Sequence, residues 1–127
     1  WEATQVNEML TQMESFPGIF IASTNLMDGL DPAALRRFDI KIRMDYLRQE
    51  QVAGLLRNHL ACLGLGELSP EDEKAVRRLG NVAPGDYASI SRRHRFRPIT
   101  SAGEFVSLLE SECRLKGEVR RPIGFVR

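Results

Sequence analysis

Three features of the sequence predict an α/β fragment over residues 1–46 followed by an all-α four-helix subdomain over residues 47–127. The first is a pair of strand patterns. Ile19-Phe20-Ile21-Ala22 is uniformly apolar, as in a strand buried on both faces of a parallel sheet, and Ile40-Lys41-Ile42-Arg43-Met44 alternates apolar with basic residues. The second is a change of period: after Tyr46 every apolar stripe is helical and bounded by a cap or a breaker. The third is charge. A total of +1 divides into −3 over residues 1–50 and +4 over residues 51–127, a shift that supports a boundary near Tyr46.

In chain order, residues 4–14 read as a helix with Val6, Met9, Leu10 and Met13 on one face. Phe16-Pro17-Gly18 breaks it and leads into the first strand, which ends on Ser23-Thr24-Asn25. Asp31-Pro32 reads as an N-cap with proline at the first helical position, and Ala33, Ala34 and Leu35 continue that helix. Arg36 and Arg37 follow, and the second strand comes next. From about 48 to 63, Val52, Leu55, Leu56, His59, Leu60 and Leu63 form a stripe that stops at Gly64.

Ser69-Pro70-Glu71-Asp72 starts the next helix with a serine cap, a proline and acids at the positive end of the dipole. It runs through Ala75, Val76 and Leu79 to Gly80-Asn81. A third begins at Pro84-Gly85-Asp86 and carries Tyr87 and Ile90 into the basic run Arg92-Arg93-His94-Arg95-Phe96-Arg97. A fourth opens on the capping-box pattern Ser101-Ala102-Gly103-Glu104, buries Phe105, Leu108, Leu109 and Cys113, and ends at Gly117. Arg120-Arg121-Pro122 suggests an extended end.

The stretch from Gly18 to Asp45 carries a compound motif: an apolar run ending in Ser-Thr-Asn, then Leu-Asp-Pro-Ala, two arginines and Phe-Asp. Together these residues resemble the second half of the nucleotide-binding core of an AAA+ ATPase, closely over residues 4 to about 46 and more loosely beyond. The resemblance implies a "sensor 1" role for Asn25, which would orient the attacking water or touch the γ-phosphate. It implies an arginine finger at Arg36 or Arg37, reaching the nucleotide of the next subunit, where a planar, permanently charged fork stabilises charge on the transferring phosphoryl group. Core members of the family have Arg-Pro-Gly-Arg-Phe-Asp here. This chain reads Arg36-Arg37-Phe38-Asp39, two residues shorter, so which arginine is the finger stays open.

Residues 47–127 resemble the helical lid that follows such a core. By that likeness Pro84, Gly85 and Asp86 stand beside the adenine and ribose, with Gly85 where the family has alanine and no "sensor 2" arginine in the turn. The nucleotide would be met there by backbone and apolar contact. The helix over 4–14 resembles the element that supports pore-facing loops in protein-remodelling members. ATP and Mg²⁺ are the implied cofactors, a homo-oligomeric ring (a hexamer in the complete protein) the implied assembly, and a protein the implied substrate.

The chain contains no Gly-x-x-x-x-Gly-Lys-Ser/Thr loop and no apolar strand ending in paired acids. The expectation is therefore a carboxyl-terminal portion of an ATPase, catalytically incompetent alone, whose phosphate loop and Mg²⁺-binding acids lie upstream. Its strands, lacking neighbours, should pair with another chain, meet each other, or pack irregularly. The lid should form regardless.

The rival reading is a non-catalytic oligomerisation module, and a DNA-directed motor is weaker still. The 92–97 run lacks interleaved aromatics beyond Phe96, so a nucleic acid partner is not expected. No apolar run approaches the roughly 18–20 residues of a membrane span, and the first residues, WEATQ, do not read as a signal peptide. Cys62 and Cys113 fit no metal spacing and are expected as buried, reduced thiols, which points to a cytoplasmic location. His59 lies in an apolar stripe without ligand-spaced partners and reads as a packed side chain.

Overall fold

The computed structural model describes residues 2–25 and 31–119, which form six helices: α1 (Glu2–Glu14), α2 (Pro32–Leu35), α3 (Gln49–Leu63), α4 (Pro70–Arg77), α5 (Pro84–His94) and α6 (Ala102–Val119). Leu30, which opens the Leu-Asp-Pro-Ala motif, and the expected extended end at Arg120-Arg121-Pro122 lie outside the described residues. The chain divides into two compact units, Trp1–Arg43 and Met44–Arg127.

In the first unit, helices form where the sequence carries its own hydrogen-bonding instructions. The Asp31 carboxylate accepts from the Ala33 N–H at 3.0 Å and caps α2, with Pro32 at its first position. Neither expected strand forms among the described residues: 19–22 and 40–44 are irregular extended chain. Ile19 and Ile21 are 88% and 86% exposed, and Ile40, Ile42 and Met44 are exposed as well.

No part of the expected sheet is thus formed among the described residues, for a physical reason. A helix closes its hydrogen bonds within itself, whereas a strand must find them on a neighbour. The two segments do not pair with each other. The predicted face of α1 is also mostly unburied. Leu10 is covered and Met13 partly so, while Val6 and Met9 are exposed. Phe20 and Phe38 meet at a ring separation of 6.4 Å.

The second unit is a four-helix arrangement in which α6 packs on α4 and α5, and α3 packs on the same two helices. Its core takes Val52, Leu56 and Leu60 from α3, Val76 from α4, Tyr87 and Ile90 from α5, and Phe105, Val106, Leu109 and Cys113 from α6. Val82 and Ile99, from the connecting segments, close it. The expected boundaries hold to within a few residues. Gly64 ends α3 at φ 65°, the left-handed region that a side chain disfavours. Ser69 Oγ accepts from Asp72 N–H at 3.1 Å at the start of α4.

Ser101 Oγ likewise accepts from Glu104 N–H at 3.1 Å. The reciprocal half of that capping box is shifted by one residue, because the Glu104 carboxylate accepts from Thr100 N–H and Oγ instead of Ser101. The exposed Glu104 carboxyl is held below its ordinary range chiefly by the Thr100 N–H bond.

One side-chain expectation is corrected. Cys113 is buried, but Cys62 is exposed. Cys62 stands two residues past Leu60, about 200° around α3 at roughly 100° per residue, so it faces away from the stripe that buries Leu56 and Leu60.

Candidate functional site

The residues singled out for nucleotide chemistry fall in both units. In the first, Asn25 follows the extended 19–24 segment and is exposed. Arg36 is the C-cap residue of α2. Its side chain is exposed and its guanidinium forms no ion pair among the described residues. Arg37, one residue on, points elsewhere: its Nε lies 3.4 Å from Glu14 Oε1 at the end of α1. The adjacent arginines therefore differ in what they are free to do. Among the described residues, the Arg37 guanidinium stands beside an acid of its own unit in an exposed pair, and the Arg36 guanidinium has no ion pair.

In the second unit, Pro84 and Gly85 are exposed at the start of α5 and Asp86 is buried. A Cβ built on Gly85 meets nothing within 4 Å, so the first turn of α5 is open on that side. The Asp86 carboxylate turns inward. Its Oδ2 accepts from Ala83 N–H at 2.8 Å, which caps the helix, and from Lys116 Nζ at 2.5 Å. Of the three residues expected beside a nucleotide, Pro84 and Gly85 present an open surface, while Asp86 is engaged in holding that surface in place.

Lys116 is the residue that sequence reading missed. Its ammonium also donates to the Asn81 carbonyl and sits 5.1 Å from the centre of the Tyr46 ring. Asn81 Nδ2 in turn donates to the Cys113 carbonyl at 2.8 Å. The signal was available: Lys116 follows Leu109 by seven residues and Cys113 by three, which places a cation on the buried stripe of α6, where it needs an acid.

His59 is a packing residue, as expected. Its ring stacks on Tyr87 at 5.2 Å and its Nδ1 pairs with Ser91 Oγ at 3.0 Å. The Tyr87 hydroxyl donates to the Val52 carbonyl at 2.8 Å, and burial pushes that phenol far above its ordinary range. Burial likewise raises the Cys113 thiol. His94 Nδ1 accepts from Ile99 N–H at 2.9 Å, which fixes the turn after α5 and leaves Arg92, Arg93, Arg95 and Arg97 on its exposed side. No group of three or more His, Cys, Asp or Glu side chains with metal-holding geometry occurs among the described residues. No helix among them is long and apolar enough to cross a membrane.

Residues 2–46 match the model of the ATPase family associated with various cellular activities, AAA. Across 103 residues, 72% of the chain, it is 32% identical to proteins named spastin from Drosophila melanogaster, Drosophila erecta and Drosophila willistoni. The chain spans 13% of the length of these curated relatives. No solved structure matches it.

Proposed function

Since this chain belongs to the AAA family of ATPases, we propose that it forms the carboxyl-terminal part of a nucleotide-binding core with its helical lid. In the complete protein this core works in an oligomeric ring that hydrolyses ATP to remodel a protein partner. Asn25 serves its own subunit's nucleotide as the uncharged group that orients the attacking water. Arg36 serves the neighbour's, as the finger. Bound ATP with Mg²⁺ supplies the phosphoryl group and the cation that neutralises its oxygens, their main ligands lying outside these residues.

Open α/β sheets hold ligands beyond the carboxyl ends of their strands, which is where Asn25 stands once 19–22 pairs as a strand. In the same assembly 40–44 pairs as a second strand. The α5 turn at Pro84 and Gly85 lies against the base and ribose.

The observation that carries this reading is the difference between the two arginines. A trans-acting finger must leave its own subunit, and Arg36 is exposed and without an ion pair among the described residues, whereas Arg37 stands beside Glu14 in an exposed pair. Removing a phosphate-stabilising arginine costs about 10³-fold or more in turnover. Arg36→Ala is therefore expected to abolish nearly all ATP hydrolysis by the complete protein. Arg37→Ala removes only an exposed ion pair, worth less than about 1 kcal/mol, and should be far milder.

Mixing tests the trans geometry. Asn25→Ala subunits mixed with Arg36→Ala subunits should recover part of the lost turnover, because some sites then join an intact Asn25 to an intact neighbouring Arg36. Unchanged turnover in the Arg36→Ala, Arg37→Ala double variant would remove the finger role altogether.

A further inference from the structure

We infer that Lys116 is a positioning residue for the ligand-facing first turn of α5, an inference that rests on the proposed placement of Pro84 and Gly85 beside the nucleotide. The argument starts from what an isolated Asp86 would do. Asp86 is 8% exposed, and its carboxylate performs a cap that only an acceptor can perform, at Ala83 N–H. A buried carboxylate left without a cation would turn toward water, and the cap geometry would change with it. The Lys116 ammonium prevents this at 2.5 Å.

The same ammonium is shared with two further partners that fix where the turn stands. Its bond to the Asn81 carbonyl fastens the segment that leads into α5. Its place over the Tyr46 ring fastens the segment that leads into α3. Leu47 N–H donates to the Val82 carbonyl at 2.8 Å, and Gln49 Nε2 to the Leu79 carbonyl at 2.7 Å, which join those two segments directly. One cation on α6 thus ties the chain at 46, at 81 and at 86 into a single rigid piece, with Pro84 and Gly85 at its outer edge. Arginine is a poor substitute, since a broad planar fork cannot place one nitrogen among three close partners as a compact ammonium does.

The experiment measures ATP hydrolysis by the complete protein, with KM and kcat separated, beside thermal unfolding. Lys116→Met should raise KM for ATP about tenfold or more, with a smaller change in kcat, because the misplaced turn weakens binding and not the phosphoryl chemistry. The Asp86→Asn, Lys116→Met double variant removes both charges and keeps an acceptor for Ala83 N–H. It guards against simple misfolding, and should retain near-normal thermal stability while KM stays raised. Lys116→Arg should restore stability more fully than it restores KM.

A fall in melting temperature with KM unchanged in both Met variants overturns the inference, leaving Lys116 a purely structural residue. Gly85→Trp separates this failure from failure of the underlying placement, because a Cβ at that position meets nothing within 4 Å. If Gly85→Trp raises KM while the Lys116 variants do not, only the role of Lys116 falls. If Gly85→Trp also leaves KM unchanged, the turn does not face the nucleotide and both readings fall.

Discussion

Tyr87 shows how one side chain can be both core and constraint. Its ring lies against His59 and Phe105, and its hydroxyl finds the Val52 carbonyl of α3, so a large apolar surface is buried without an orphaned polar atom. Tyr87→Phe should cost about 1 kcal/mol, the net worth of the hydrogen bond it removes, because the Val52 carbonyl keeps its bond within α3. The pH dependence has a definite sign. The folded phenol titrates above the ordinary 10.0, so the folded state keeps a proton that the unfolded chain gives up. The stabilising contribution is whole below pH 10 and declines as the pH climbs beyond it. Urea unfolding at pH 9 and pH 11 should therefore show a smaller loss of stability for Tyr87→Phe than for the parent. The cysteines offer a second check at this scale. In the native protein a maleimide should label exposed Cys62 within minutes and leave Cys113 untouched, its thiol being buried and raised in pKa.

At the scale of elements, the legible parts are those whose instructions are local. Asp31, Ser69 and Ser101 each accept from a backbone N–H two or three residues on, and Gly64 adopts the one φ at which a helix can be closed by a left-handed residue. Such signals need no knowledge of the rest of the fold, and all four were readable in the sequence. Ser69→Ala is expected to cost about 1 kcal/mol, and Gly64→Ala about 1–2 kcal/mol through its positive φ, both measurable by denaturant midpoint. What failed were statements about faces. Val6 lies by periodicity on a side that should be covered, but which side of a helix is covered depends on neighbours that periodicity cannot name, whereas Cys62, two residues past Leu60, already stands off the buried stripe by the helical period. Lys116 escaped notice for the converse reason: its partners Asp86, Asn81 and Tyr46 are distant in sequence, and only packing brings them together.

Over the whole molecule, the contrast between the units follows from where each kind of element obtains its hydrogen bonds. The four helices of the second unit bury a shared core and close their own backbone bonds. In the first unit, Ile19, Ile21, Ile40 and Ile42 carry a strand pattern while standing 78–88% exposed, a state in which the sequence and its surroundings disagree. Fully burying one such side chain is worth about 1.5–3 kcal/mol, so any neighbouring strand that offers a ladder would be strongly favoured. If those neighbours belong to the complete protein, amides 19–22 should exchange with solvent slowly there and rapidly in residues 1–127 alone. Ile21→Asp should destabilise the complete protein by more than about 3 kcal/mol, since it buries an unpaired charge. In residues 1–127 the same substitution should leave the melting of the helical unit unmoved, because the Ile21 side chain is already in water. Fast exchange at 19–22 in the complete protein would show that these residues are exposed by design. Asn25 would then lack the strand end that is supposed to hold it against the phosphates.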